Sequence, residues 1–136
     1  MWNEEWQTGE TPIGSSPSRT RKSEEAIIHG PSSGALMETA LVAEWVKAFQ
    51  NRGEPPSLYY WRSSDGLEVD LIVDRNALLH AFEAKATATV TPGHASAIRR
   101  WREIVGAEAG PGTVVADVDR AFSIAPGVRA VPWWLV

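Results

Sequence analysis

Glu68-Val69-Asp70-Leu71-Ile72-Val73, followed after a short turn by Leu78-Leu79-His80-Ala81-Phe82-Glu83-Ala84-Lys85-Ala86, decides the fold of this chain. Both stretches are apolar runs of strand length, and Asp74-Arg75-Asn76 between them is a turn sequence. Side chains alternate along a strand, so Glu83 and Lys85 point the same way, about 7 Å apart. Asp70 on the neighbouring strand can then face Glu83. An Asp, a Glu and a Lys thus gather on one sheet face, where apolar residues are otherwise expected. A half-buried pair of carboxylates costs free energy unless a cation neutralises it. Two carboxylates beside a lysine are what metal-assisted phosphodiester hydrolysis requires.

The flanking segments complete an α/β domain. Ser33 caps a predicted helix from Gly34 to Gln50, closed by Asn51-Arg52-Gly53 and Pro55-Pro56. Leu41, Val42, Trp45, Val46 and Phe49 form its apolar stripe. Glu38 falls on the same stripe, out of place unless it has a partner or a task. Leu58-Tyr59-Tyr60-Trp61-Arg62 is a strand, joined by the turn Ser63-Ser64-Asp65-Gly66 to the run from Glu68, and the three strands read as an antiparallel meander. Thr91 caps a second helix with Pro92 at its first position, running through Ile98, Trp101 and Val105 to Gly106. Gly112 to Val118 reads as a buried strand, and Val128 to Val131 as a short terminal one. The predicted order is α-β-β-β-α-β, a mixed sheet between helices.

At 136 residues the chain makes one domain with one core. Residues 1–33, rich in Gly, Ser, Pro and Thr, read as a flexible N-terminal extension with Trp2, Trp6 and Ala26-Ile27-Ile28 as docking points; 34–136 form the folded domain. Gly9 and Gly14 have phosphate-loop spacing, but Ser15 stands where the lysine belongs and no strand precedes it, so a nucleotide site is rejected. No apolar run is long enough to span a bilayer and no signal peptide is evident, which makes a cytoplasmic protein without membrane contact the expectation. The absence of cysteine excludes disulfides and thiolate zinc sites. A net charge of −4 weakens a general case for nucleic-acid binding, although the carboxylates of the site contribute to it. Arg99, Arg100 and Arg102 are read as the wet face of the second helix. Trp45, Trp61 and Trp101 are read as core, Trp133 and Trp134 as cover for a sheet edge, and His80 as a strand surface residue. His29, His80 and His94 lack paired ligand spacing.

Glu38, Tyr60-Trp61-Arg62, Glu68-Val69-Asp70, Glu83-Ala84-Lys85 and the closing Val131-Pro132-Trp133, in that order, resemble the PD-(D/E)XK nuclease superfamily. More narrowly, they resemble the C-terminal domain of unknown function that follows a AAA+-like ATPase module in prokaryotic proteins. Here the ATPase and winged-helix segments of that family are not found ahead of the domain. The resemblance implies Glu38, Asp70, Glu83 and Lys85 as catalytic residues. It implies Mg²⁺ or Mn²⁺ held by Asp70, Glu83 and the Ala84 carbonyl, and nucleic acid, DNA before RNA, as substrate. Tyr60 and Arg62 would contact a phosphate, and an ATPase subunit is a possible partner. The same charges admit two blander readings: a salt-bridge network of Lys85 with Glu83 or Asp70, and a non-catalytic module that binds nucleic acid or an ATPase.

Overall fold

The computed structural model describes residues 32–136. The expected extension, with its docking points and glycine pair, lies outside the described residues except for Ser32 and Ser33. The elements are α1 (Ser33–Asn51), β1 (Leu58–Arg62), β2 (Glu68–Arg75), β3 (Leu78–Lys85), α2 (Ser96–Val105), β4 (Gly112–Ala116), β5 (Phe122–Ala125) and β6 (Val128–Pro132). One mixed sheet runs β1-β2-β3-β4-β6-β5. β1 to β3 are the antiparallel meander, β3, β4 and β6 are parallel neighbours, and β5 returns antiparallel along β6.

Two apolar clusters sandwich the sheet. Leu41 and Phe49 of α1 pack on Leu58, Leu71, Val73, Phe82, Ala84, Val115 and Val131. Ile98 and Trp101 of α2 pack on Val69, Ile72, Ala81, Val114 and Val128. Neighbours in sequence, such as Val114 and Val115, fall in different clusters because strand side chains alternate. The α/β class and the mixed sheet are as expected. Among the described residues, no helix is long and apolar enough to cross a membrane.

Several local expectations are corrected. Ser33 is the first residue of α1; Ser32 precedes it and contributes its carbonyl, which accepts the Leu36 N–H at 3.1 Å. β4 ends at Ala116 rather than Val118. β5 is an added edge strand, too short and too exposed to raise a periodic signal. Arg99 and Arg100 are exposed, but Arg102 is half-buried and donates from Nη1 to the Pro126 carbonyl at 3.2 Å, tying α2 to the β5–β6 turn. Trp133 and Trp134 cover no sheet edge. They lie edge to face at 5.8 Å in an exposed turn after β6, an interior strand. His80 is half-buried, its ring against the backbone of Gly110.

The second helix starts later than expected: Thr91 heads a 3₁₀ turn, Pro92–Ala95, its N–H donating to His94 Nδ1 at 2.9 Å, and α2 itself begins only at Ser96. The β2–β3 turn is tighter than its sequence suggested. Arg75 pairs with Leu78, leaving only Asn76 (φ 55°) and Ala77 (φ 61°) to reverse the chain. Two left-handed residues suit a hairpin turn, and Asn-Gly is the preferred pair there. Ala77 therefore carries strain that glycine would not. Ala77→Gly is expected to stabilise the domain by about 0.5–1 kcal/mol, after the backbone entropy lost by glycine is counted. Urea unfolding midpoints of the two proteins measure it, and a lower midpoint in the variant would contradict the turn geometry.

Candidate functional site

The β2–β3 ladder stops at Leu71↔Phe82, although β3 continues to Lys85 alongside β4. Beyond that point a side chain takes over from the backbone: Asp70 Oδ2 accepts the Ala84 N–H at 2.8 Å. On its other side β2 is irregular. Tyr59 pairs with Ile72 and Trp61 with Val69, so Tyr60 alone stands against Asp70 and Leu71. That is a β-bulge, which bends the strand and re-aims its side chains. Its effect shows in the core: Val69 and Ile72, three residues apart, both pack beneath α2, while Leu71 packs beneath α1. The extra residue brings Asp70 round with Leu71 toward the α1 side, where Glu38 lies.

Glu83 and Lys85 leave β3 on the side opposite Phe82 and Ala84, by alternation. The Asp70 carboxylate, bonded to a backbone N–H in the plane of the sheet, lies between. Glu38, Asp70, Glu83 and Lys85 are thus gathered around the open end of the β2–β3 pair, not spread on one sheet face as alternation alone suggested.

Their mutual influence is visible in their protonation. Glu83 is only 6% exposed, and burial pushes its pKa up to about 7, with the charges of Asp70 and Glu38 adding to the rise. Lys85 opposes that rise: its Nζ lies 2.6 Å from Glu83 Oε1. Burial likewise raises Asp70, against the Ala84 N–H and the Lys85 charge. Glu38 is exposed, not inward-facing as its stripe position implied. Partial desolvation at the rim raises its pKa first, and the charge of Asp70 second. Burial would pull Lys85 down, but its bond to Glu83 and the charges of Glu83, Asp70 and Glu38 outweigh this and hold it above the ordinary lysine value.

Glu83 Oε2 is buried and has no hydrogen-bond partner among the described residues. Unpaired buried acceptors are rare in native proteins and mark a strained or functional position. Among the described residues, no three Asp, Glu or His side chains converge as a complete metal cage. The donor set is nevertheless of the type a hard cation accepts: two carboxylates and a peptide carbonyl, with water filling the remaining positions.

Two peripheral expectations fare differently. Tyr60 is 75% exposed on the edge strand, beside the bulge. Arg62 is engaged: its Nε lies 3.1 Å from Glu68 Oε1 across the β1–β2 pair, with both side chains in solvent. Neither the bulge nor the open oxygen of Glu83 carries a signal in the one-dimensional pattern.

Fold and site together define a mixed α/β domain with a carboxylate–lysine centre at the open end of a strand pair. The chain belongs to the family described as Domain of unknown function (DUF4143), which matches residues 33–136. No curated protein and no solved structure matches it.

Proposed function

We propose that this domain hydrolyses phosphodiester bonds in nucleic acid, DNA in the first instance, with the help of a divalent cation, in the manner of the PD-(D/E)XK nucleases its site residues resemble. One observation carries the reading: Glu83 keeps a buried oxygen without a partner among the described residues, beside a half-buried carboxylate, Asp70. Such an oxygen costs about 1–3 kcal/mol of desolvation, and a bound cation would offset it. Asp70, Glu83 and the Ala84 carbonyl would hold Mg²⁺ or Mn²⁺. When bound, the ion polarises a phosphate oxygen and makes a more acidic water available.

The remaining chemistry belongs to the chain. Lys85, held protonated by its carboxylate neighbours, offers Nζ–H groups to the attacking water or to the charge that develops on phosphate. Glu38, exposed at the rim and within the field of Asp70 and Lys85, orients a water there. The bulge at Asp70 and the bond from Ala84 N–H fix the Asp70 carboxylate before any ligand arrives.

A second reading has its own support. Lys85 already neutralises one oxygen of Glu83, so the domain would be stable as a binding module that recognises nucleic acid or an ATPase partner without cutting. Titration of Mn²⁺ and Mg²⁺ into wild type and Asp70→Ala, with cleavage of single- and double-stranded DNA followed in the same samples, separates the two. Metal binding and cleavage are expected in wild type, and both are expected to vanish in the variant. Binding of metal without cleavage of either substrate would favour the module; no metal binding at all would leave the charges structural.

A further inference from the structure

The far end of α1 carries a second polar feature that the carboxylate centre does not use. An open cavity of ≈ 320 Å³ is lined by Glu44, Trp45, Lys47, Arg52 and Arg75, among others. Three of these five are cations, on a chain whose net charge is −4. Lys47 is paired with Glu44 along the helix, and Arg52 with Glu54 at 3.3 Å. Arg75, half-buried at the end of β2, makes no ion pair among the described residues.

Trp45 supplies the second observation. Its indole Nε1–H is buried and has no hydrogen-bond partner among the described residues. The ring cannot easily turn to find one: it stands edge-on to Phe82 at 5.1 Å and lies 6.3 Å from Phe49. The guanidinium of Arg52 sits 5.2 Å from the Phe49 ring centre, so the same aromatic stack positions one of the cations. Trp45 and the unpaired guanidinium of Arg75 line one cavity, and the guanidinium makes it a receptor for a multi-oxygen anion. The planar fork of arginine matches phosphate, and an N–H without a partner rewards any acceptor that reaches it.

We propose that this cavity binds a phosphate group, and that its occupant is a backbone phosphate of a nucleic-acid strand whose other end lies at the carboxylate centre. The anion site stands on its own residues; the identity of the strand rests on the nucleic-acid reading above. Two elements link the places in the same direction. About 20 Å of helix separates Glu38 from Arg52, and about 17 Å of strand separates Asp70 from Arg75. A strand rising about 3.4 Å per nucleotide covers that span in about five or six nucleotides. Phosphate held at one end would set which bond reaches the other.

Metal-free ¹⁵N-labelled full chain tests this without cleavage, with the Trp45 indole resonance assigned by its loss in Trp45→Phe. Inorganic phosphate and an eight-nucleotide single-stranded DNA are each titrated. Both are expected to move that resonance, Arg75→Gln to weaken both titrations about tenfold, and Asp70→Asn to leave the phosphate titration unchanged. A response to inorganic phosphate alone would overturn the strand and leave a free-phosphate site. No response to either would overturn the proposal. Its failure is separable from that of the nuclease reading, because cleavage in Mg²⁺ is measured apart from the indole signal.

Discussion

Glu83→Gln is expected to lower the proposed metal-dependent cleavage by at least about 100-fold, since even residues that only support a metal ligand cost about 10–100-fold when removed, and at the same time to stabilise the metal-free domain above neutral pH. The second effect follows from burial. Folding raises the Glu83 pKa from 4.5 to about 7, so between those values the native state holds more protons than the unfolded chain. Stability therefore falls as pH rises through this window. The contribution is complete below about 4.5 and has gone above about 7, amounting to about 3 kcal/mol at about 1.36 kcal/mol per unit. A glutamine side chain has no charge to bury, so the variant's stability loses this slope. Lys85 loses its ion pair but is 37% exposed, and water replaces much of what Glu83 provided. Urea unfolding of wild type and variant from pH 5 to 8 measures the slope, and parallel profiles would contradict a buried Glu83. Added Mg²⁺ is expected to stabilise wild type at pH 8 and not the variant, because the ion needs the deprotonated carboxylate.

Trp101→Ala is expected to cost about 3–5 kcal/mol, the range for removing a large aromatic from a core. The side chain is 2% exposed and belongs to the cluster that joins α2 to Val69, Ile72, Ala81 and Val114. α2 has little else to hold it: apart from Arg102 reaching the Pro126 carbonyl, its inward face is chiefly Ile98 and Trp101. The neighbourhood is also closely packed, since a Cβ at Gly112 would come within 2.3 Å of Ile98 Cγ2. A wall this tight collapses poorly around a missing indole, which places the cost toward the upper end. Domains are stable by only about 5–15 kcal/mol, so the variant should melt at least ~12 °C lower. A fall below ~5 °C would mean that α2 is not anchored through this residue.

The two variants probe different layers. Trp101 lies in the cluster beneath α2, while the carboxylates sit where β2 and β3 part. Loss of cleavage in Glu83→Gln with a raised melting temperature cannot be put down to unfolding.

Much of this organisation was legible in the residues. The meander from Leu58 to Lys85 announced itself because short apolar runs separated by turn residues have few other ways to fold. The stripes of α1 and α2 were equally local signals, while Thr91-Pro92 marked a 3₁₀ turn ahead of α2 rather than its first residue. So was the succession of Glu38, Asp70, Glu83 and Lys85 on the first helix and the second and third strands. These features depend on a few neighbouring residues, and periodicity and capping chemistry decide them whatever the rest of the chain does.

What needed the tertiary structure is everything set by contacts distant in sequence. Strict alternation cannot reveal that Tyr60 stands against both Asp70 and Leu71, because a bulge is a property of two paired strands and not of either alone. Periodicity placed Glu38 inward, but only the packing of α1 over the sheet left it at the rim. It placed Trp45 in the core without saying where its N–H would point, which the rings of Phe49 and Phe82 decide. The edge strand β5 exists because β6 was there to pair with it. The chain alone determined which charged residues would be brought near one another; the partners across the sheet decided which of their atoms were left without one.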